Sequence, residues 1–175
     1  PTIEEDAVRC TIGVDVGTVR VGVARSDPHG ILATPVATLA RDPDAAVSPQ
    51  DPDVTAIAGL VTELGAVGVI VGLPRSMSGV EGPSAAKARQ YASVGAARSA
   101  PVGVRLIDER LTSVDAHRTL RDSGVSGRRQ RAVVGQAAAV LILQYALDTQ
   151  RTPGSPPGEQ VRIGRRKPRT KDVNP

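Results

Sequence analysis

The stretch TIGVDVGTVRVGVAR at residues 11–25 decides the fold. Two runs rich in β-branched residues flank a tight turn at Gly17-Thr18, which predicts a β-hairpin. A third run, ILATPVATLA at residues 31–40, can pair beside the hairpin, and Pro35 indicates a bulge or an edge position in it. We therefore expect the chain to begin with three antiparallel strands.

After these strands, helices and buried strands alternate. The runs AVGVIVGLP at 66–74 and VGVRLID at 102–108 are continuously apolar, as in parallel strands covered on both faces. Helical spacing or capping residues predict helices from Val54 to Leu64, from Pro83 to about Ala97, from Thr112 or Ser113 to Gly124, and from Val133 to Leu147. The fold class is thus α/β, with a mixed five-stranded sheet flanked by helices.

Composition divides the 175 residues into a folded domain at 11–150, a short segment at 1–10 and a tail at 151–175. The tail is rich in proline, glycine and basic residues, and we expect it to be disordered. It carries a charge of +5, whereas residues 1–150 carry −1. The basic character that favours a polyanionic partner therefore lies in the tail, and any nucleic-acid site in the domain must be local.

Several classes of protein are disfavoured. No apolar run is long enough to cross a bilayer, and the first residues lack the pattern of a secretory signal, so we expect a cytoplasmic protein with no membrane partner. Cys10 is the single cysteine; a structural role is expected, although an exposed thiol could link two chains, which leaves a homodimer open. With two tyrosines and no Phe or Trp, the chain has almost nothing on which bases could stack, so if it binds nucleic acid it should contact the phosphates and the shape of the backbone.

Two acidic residues are candidates for metal binding and catalysis. Asp15 lies inside an apolar strand, where an ionised carboxylate is costly unless it binds something. Glu109 follows the strand that ends at Asp108, and alternation sends these two neighbouring acids to opposite sides. If the two strands are parallel, Asp15 and Glu109 converge, and such a pair favours Mg²⁺ or Mn²⁺. A solvent-facing strand position for Asp15 and a surface turn for Glu109 are the alternatives.

The loop GLPRSMSGVEGPSAAKAR at residues 72–89 is a candidate phosphate cradle, with Arg75 and Lys87 as its cations. A surface loop shaped only by its turns is an equal alternative. Arg110 and Thr112 are further candidates, although a solvated charge and a helix cap would also explain them. The residues that we expect to contact nucleic acid are Gly17, Thr18, Arg75, Arg110 and Thr112.

Four stretches taken together resemble the YqgF family of pre-16S rRNA nucleases and Holliday junction resolvases. They are GVDVGTVRVGVA, VIVGLPRSMSGVEGP, IDERLTSVDAHRTL and QAAAVLILQYAL, and they span about residues 11 to 148. The resemblance implies a ribonuclease H-like fold and two-metal phosphodiester hydrolysis on pre-rRNA or branched DNA. It also implies that Asp15 and Glu109 are the first two of the family's catalytic acids.

The third acid of the family does not have a counterpart. The family pattern near the start of the last helix has Val-Asp, and this chain has Val134-Gly135. Asp148, the next acid along, lies about 20 Å further along a helix. The resemblance therefore assigns Gly135 to the position of a missing catalytic acid, and we expect weakened catalysis.

Two other functions remain to be weighed. One is a nucleic-acid-binding or ribosome-assembly module that keeps the fold without cleavage, which the missing acid favours. The other is an ATPase, because GVDVGT also resembles the first phosphate loop of the actin and sugar-kinase ATPases. Those enzymes enclose the nucleotide between two such domains, and this chain has residues for one.

Overall fold

The computed structural model describes residues 10–112, 128–151 and 156–163 of the chain. Its strands are β1 (Thr11–Val16), β2 (Arg20–Ser26), β3 (Ala33–Ala40), β4 (Gly68–Leu73), β5 (Gly103–Asp108) and β6 (Glu159–Gln160). Its helices are α1 (Pro52–Glu63), α2 (Pro83–Ser99) and α3 (Arg128–Gln150), and a 3₁₀ turn (Glu109–Leu111) follows β5. The helix predicted to start at Thr112 or Ser113 and end at Gly124 lies almost wholly outside the described residues.

The strands form one mixed sheet in the order β3-β2-β1-β4-β5-β6. The first three are antiparallel neighbours, whereas β1, β4 and β5 run parallel. This arrangement confirms the ribonuclease H-like prediction of antiparallel strands followed by parallel ones. It also brings the carboxyl ends of β1, β4 and β5 to one edge of the sheet, where sites of such sheets form.

The edge strand β3 carries the predicted irregularity. Val23 pairs with Ala37 and Ala24 pairs with Pro35, so Val36 is an extra residue on β3. Proline cannot donate a ladder hydrogen bond, which is why it is tolerated at a bulge in an edge strand. Both the bulge and the edge position indicated by Pro35 are confirmed.

The prediction of five strands was wrong by one. The sixth strand, Glu159–Gln160, lies in the segment that composition predicted to be disordered, and it pairs antiparallel with Arg105 and Leu106 of β5. An edge strand such as β5 would be without β6 has unpaired backbone N–H and C=O groups, to which another segment of the chain can hydrogen-bond. The prediction of disorder for 151–175 is therefore wrong for residues 156–163.

Side chains hold this added strand in place. The guanidinium of Arg105 donates to the carbonyl oxygens of Pro157 and Gly158, and Arg89 of α2 forms an ion pair with Glu159. These partners lie more than 50 positions away in the sequence, so a reading of local composition could not include them.

The helices cover the two faces of the sheet. On one face α1 and α2 enclose a mostly aliphatic core with the apolar sides of β1, β2, β4 and β5. On the other, α3 packs through Ala138, Ala139, Ile142, Leu143, Ala146 and Leu147. Because α3 begins at Arg128, not at the predicted Val133, Gly135 lies about two turns inside the helix.

Cys10 precedes β1 and is 1% exposed, with its thiol 3.4 Å from the carbonyl oxygen of Ser26. The structural role is supported, and a disulfide between two chains through this residue is not; a homodimer stays a prediction. In the described part of the chain, no helix combines the length and apolar character needed to cross a membrane.

Candidate active site

Asp15 lies near the carboxyl end of β1, on the face of the sheet that α3 covers. A β-carbon built on Gly13 would lie 2.6 Å from the β-carbon of Leu143, so position 13 faces this helix. Side chains alternate along a strand, and Asp15, two residues on, therefore faces the same way. The residue is only 6% exposed.

Glu109 reaches the same face from the end of β5. It is 1% exposed, and a β-carbon on Gly72 would lie 2.7 Å from its Oε1 atom. The carboxylate therefore rests over Gly72, which has no side chain to displace it. Val14 of β1 pairs with Val71 of β4, so the next residues along these strands, Asp15 and Gly72, are neighbours. The two carboxylates converge over Gly72.

Gly135 of α3 lies on the other side of Asp15, over strand β2. It faces Gly22, which pairs with Asp15 across the β1–β2 hairpin. A β-carbon on Gly22 would overlap the carbonyl oxygen of Gly135, so the helix approaches the sheet closely here. Among the described residues, a β-carbon on Gly135 would meet only Gly22 within 4 Å, at 3.8 Å, which leaves room there for a side chain. Asp15 thus has Gly135 on its β2 side and Glu109 on its β4 side, and the two acids supply carboxylates.

This donor set suits a divalent cation. Mg²⁺ and Mn²⁺ take oxygen ligands, and carboxylates are the side chains that most often supply them. Because Gly72 has no side chain, the carboxylate of Glu109 can lie over it, one strand away from Asp15. Among the described residues, no three His, Cys, Asp or Glu side chains gather into a metal-binding group. The described residues therefore fit one cation held by Asp15 and Glu109 better than a complete two-cation centre.

A cleft of about 400 Å³ opens beside Asp15. The β1–β2 turn, the first turn of α2 and the helix α3 form its walls, through Gly17, Thr18, Ser84 and Gly135. Its cationic lining residues are Arg20, Arg41 and Lys87. Within the described part of the chain, none of these three forms an ion pair with a carboxylate. Their positive charges are therefore available to an anionic ligand that binds in the cleft.

The other predicted cations, Arg75 and Arg110, lie at the end of β5 and are neutralised by acids. Arg110 Nη2 lies 2.6 Å from Asp108 Oδ2, and Arg75 contacts Asp108 at 3.8 Å and Glu81 at 3.3 Å. The hydrogen bond from Arg110 lowers the pKa of Asp108. The side chain of Asp108 thus points to a different side from that of Glu109, as alternation along the strand predicted. It forms ion pairs with both arginines.

These ion pairs continue along α2 to the added strand. Arg89 donates to both carboxylate oxygens of Glu81 and also binds Glu159 of β6. The hydrogen bonds from Arg89 lower the pKa of both carboxyls. We refer to Arg75, Glu81, Arg89, Asp108, Arg110 and Glu159 as the ion-paired cluster.

Thr112 lies beside Glu109 but not in the cleft. Its hydroxyl donates to the carbonyl oxygen of Glu109 at 2.8 Å, which closes the 3₁₀ turn that carries the acid. In the described structure it supports Glu109; its predicted capping of the next helix lies outside the described residues.

Sequence reasoning singled out Lys87 in its loop but missed Arg20 and Arg41. Arg20 is the first residue of β2, directly after the turn that Gly17 and Thr18 form, and this adjacency was an available signal. Arg41 follows β3, which is distant in sequence from β1. Only the pairing of β2 with β3 brings it to the turn, where its backbone N–H donates to the carbonyl oxygen of Val19.

Comparison with known proteins identifies the family. The family model described as RuvX, Holliday junction resolvase, matches residues 9–149. Two curated relatives share the name "Putative pre-16S rRNA nuclease". The relative from Nocardioides sp. is 54% identical over 157 residues, covering 86% of this chain and 94% of the relative. The relative from Streptomyces coelicolor is 50% identical over 153 residues, covering 87% of each.

Among solved structures, Thermus thermophilus RuvC in complex with a Holliday junction substrate matches with a TM-score of 0.48 and 15% identity. The match covers 82% of this chain and 95% of RuvC. The family model spans β1 to β5 and the three helices up to residue 149, and the two curated relatives are identical to the chain at about half of the aligned positions. The chain belongs to the RuvX (YqgF) family of nucleases.

Proposed function

We propose that the protein is a metal-dependent endonuclease that cleaves phosphodiesters at the carboxyl edge of its sheet. The observation that carries the proposal is the convergence of two buried carboxylates, Asp15 and Glu109, over Gly72. They come from strands that are not adjacent, and both face α3. The two acids are neighbours because β1 and β4 pair in this register and because Gly72, between them, has no side chain. Two buried carboxylates placed in this way are better suited to ligand binding than to core packing.

Asp15 and Glu109 would hold Mg²⁺ or Mn²⁺. Such a cation, when bound, lowers the pKa of water and neutralises charge on a phosphoryl oxygen. The carboxylates themselves orient the site, since Asp15 is fixed within β1 and Glu109 within the 3₁₀ turn that Thr112 closes. Burial under α3 keeps bulk water from screening them.

The substrate that we infer is nucleic acid, either the 5′ end of pre-16S rRNA or a four-way DNA junction. The names of the curated relatives support the first and the description of the family supports the second. The unpaired cations beside Asp15 suit either backbone. Processing of pre-rRNA would place the protein in the cytoplasm.

A second function is favoured by one observation, the glycine at position 135. It borders Asp15, has room for a side chain and carries none. A chain with two acids could bind nucleic acid without cleaving it efficiently, as a ribosome-assembly module would.

Single-turnover cleavage separates the two functions. The parent protein is mixed in excess with a labelled four-way junction or a pre-16S 5′ leader RNA, in Mn²⁺ and in EDTA. We expect Mn²⁺-dependent cleavage that Asp15→Asn and Glu109→Gln abolish, while Asp148→Asn, an acid at the far end of α3, retains it. Binding of either substrate by the parent with no cleavage in Mn²⁺ would support the assembly module instead.

A further inference from the structure

We propose that Arg20, Arg41 and Lys87 form a phosphate-binding subsite, which holds the backbone of the nucleic-acid strand next to the phosphodiester at Asp15. The nature of the ligand rests on the proposed function. The existence of an anion subsite rests on the cleft itself. This assignment differs from the sequence prediction, in which Arg75 and Arg110 were the arginines that contact the substrate.

First, the basic residues near the catalytic edge differ in whether a carboxylate already binds them. A guanidinium already bound to a carboxylate has its charge largely neutralised and has fewer N–H donors left for a phosphate. Arg75, Arg89 and Arg110 each have such a partner within 3.3 Å. In the described structure the three cations of the cleft have none. Binding an anion in the cleft therefore breaks no existing ion pair.

The second step is the orientation of Arg41. Its Nη1 donates to the carbonyl oxygen of Gly17 at 3.0 Å, and its guanidinium carbon lies 5.4 Å from the ring centre of Tyr91. Tyr91 is 3% exposed and donates its phenol proton to buried Asp53 at 2.7 Å. Burial raises the pKa of Tyr91, so the phenol stays protonated and the hydrogen bond is kept.

This chain of contacts fixes the side chain of Arg41 before any ligand arrives. An arginine has five N–H donors in a planar fork, so one bond to Gly17 leaves others for a phosphate. Because the guanidinium is already ordered, less side-chain entropy is lost when it binds. Asp53 and Tyr91, which have no part in the catalytic centre, thereby gain a role in positioning the subsite.

The third step is the neutral lining of the cleft. Thr18 and Ser84 are exposed hydroxyl residues on opposite walls, and Ser84 lies one helical turn from Lys87 in α2. Hydroxyls, lysines and arginines are the side chains that most often contact phosphate oxygens. Asp15 is the acidic lining residue, at the end where the scissile phosphodiester would lie.

The test is a binding measurement without cleavage. Anisotropy of a fluorescein-labelled four-way DNA junction is recorded in EDTA over 50 to 200 mM salt for the parent, Arg20→Ala, Arg41→Ala and Lys87→Ala. Each variant should weaken binding and reduce the slope of log K against log salt by about 1, because one phosphate contact is lost. Arg98→Ala is the matched control, since it removes an exposed charge from the other end of the same helix.

Arg41→Lys tests the positioning. Lysine keeps the charge but cannot bind Gly17 and stack on Tyr91 with the same planar group, so affinity should fall while the salt slope stays near that of the parent. Lys87 is exposed, and its replacement should leave the melting temperature unchanged, which keeps the test valid if an arginine variant unfolds.

The outcomes distinguish the subsite from the proposed function. Slopes for Arg20→Ala, Arg41→Ala and Lys87→Ala that equal that of Arg98→Ala would overturn the subsite, even if the protein cleaves its substrates. Reduced slopes in a protein that never cleaves would support the subsite and contradict the nuclease.

Discussion

Two groups of basic residues flank the catalytic edge, and they differ in what their charges already do. In the ion-paired cluster three arginines are bound to three carboxylates, and the cluster ties the loop after β4 to α2, to the end of β5 and to β6. In the cleft beside Asp15, Arg20, Arg41 and Lys87 have no carboxylate partner in the described structure. The first group stabilises an arrangement of strands and loops, and the second is available to a ligand.

The difference shows that the number of basic residues does not locate a nucleic-acid site. Arg75 lies in the predicted phosphate cradle and Arg110 in a motif that resembles the family's, yet Asp108 binds both of them. A phosphate that bound either arginine would compete with Asp108 for that guanidinium. Pairing, which depends on the tertiary structure, decides which cations are free.

The largest expected effect tests how closely α3 must approach the cleft. Gly22→Ala places a methyl group against the backbone carbonyl of Gly135, which cannot move without shifting the helix. We expect a loss of about 3 kcal/mol in the free energy of unfolding, measured by urea denaturation. Gly59→Ala is the control: it is an exposed position of α1, no described atom lies within 4 Å of its β-carbon, and the variant should gain about 0.5 to 1 kcal/mol. Equal stability of the two variants would contradict the close packing.

The next effect concerns position 135, where the family has a third catalytic acid and this chain has glycine. Gly135→Asp adds a carboxylate beside Asp15 at a position with room for it, and single-turnover cleavage in Mn²⁺ should rise roughly 10- to 100-fold, equivalent to about 1.4 to 2.7 kcal/mol. Gly135→Ala should gain helix stability, about 1 kcal/mol, without the gain in rate. Because Gly135 lies two turns inside α3, the helix dipole contributes nothing to this prediction. Equal rates for all three proteins would show that position 135 supplies no ligand.

A smaller effect is expected when an acid is removed from the ion-paired cluster, because its arginines then become available to nucleic acid like the cations of the cleft. Glu81→Gln removes the carboxylate that Arg75 and Arg89 share, so both gain unpaired charge. Affinity for the labelled junction should increase about two- to threefold at low salt and return to the parent value at high salt. Glu63→Gln, an acid at the end of α1, serves as the control. Unchanged affinity for Glu81→Gln would mean that pairing does not withhold these arginines from nucleic acid.

The smallest effect is the pH dependence of the same cluster. The folded protein holds the pKa of Asp108, Glu81 and Glu159 below the usual values, mainly through hydrogen bonds from Arg110 and Arg89. Their contribution to stability is therefore present above the unfolded carboxyl pKa values, near 4, and is lost as pH falls through the lowered folded values. The urea midpoints of parent and Asp108→Asn should differ at pH 7, and the difference should shrink as the pH falls below about 4. A constant difference would contradict the assigned ion pairs.

The sequence predicted most of the sheet because its signals are local. The β-branched hairpin, the bulge at Pro35 and the apolar runs of β4 and β5 each depend on residues close together in the chain. Strand β6 was missed because its stability comes from Arg89 and Arg105, more than 50 residues away. The start of α3 at Arg128 was missed because GVSGRRQR has no apolar periodicity.

In the candidate site, too, local signals could be predicted from the sequence and long-range contacts could not. Asp15 and Glu109 could be identified from a carboxylate in an apolar strand and from the family motifs, and the structure places them over one glycine. The division of the cations into paired and unpaired could not be predicted, since it depends on how Glu81 and Asp108 are placed in space. Arg41 joins the site only through the pairing of β2 with β3.

The most direct test of the central claim is a calorimetric titration with Mn²⁺. The account predicts one cation bound by the parent, with affinity lowered strongly in both Asp15→Asn and Glu109→Gln and retained in Asp148→Asn, while all four proteins stay folded. Neither Asn nor Gln keeps the negative charge that a hard cation requires. Equal Mn²⁺ affinity in the parent and in the Asp15 and Glu109 variants would contradict a metal centre shared by these two carboxylates.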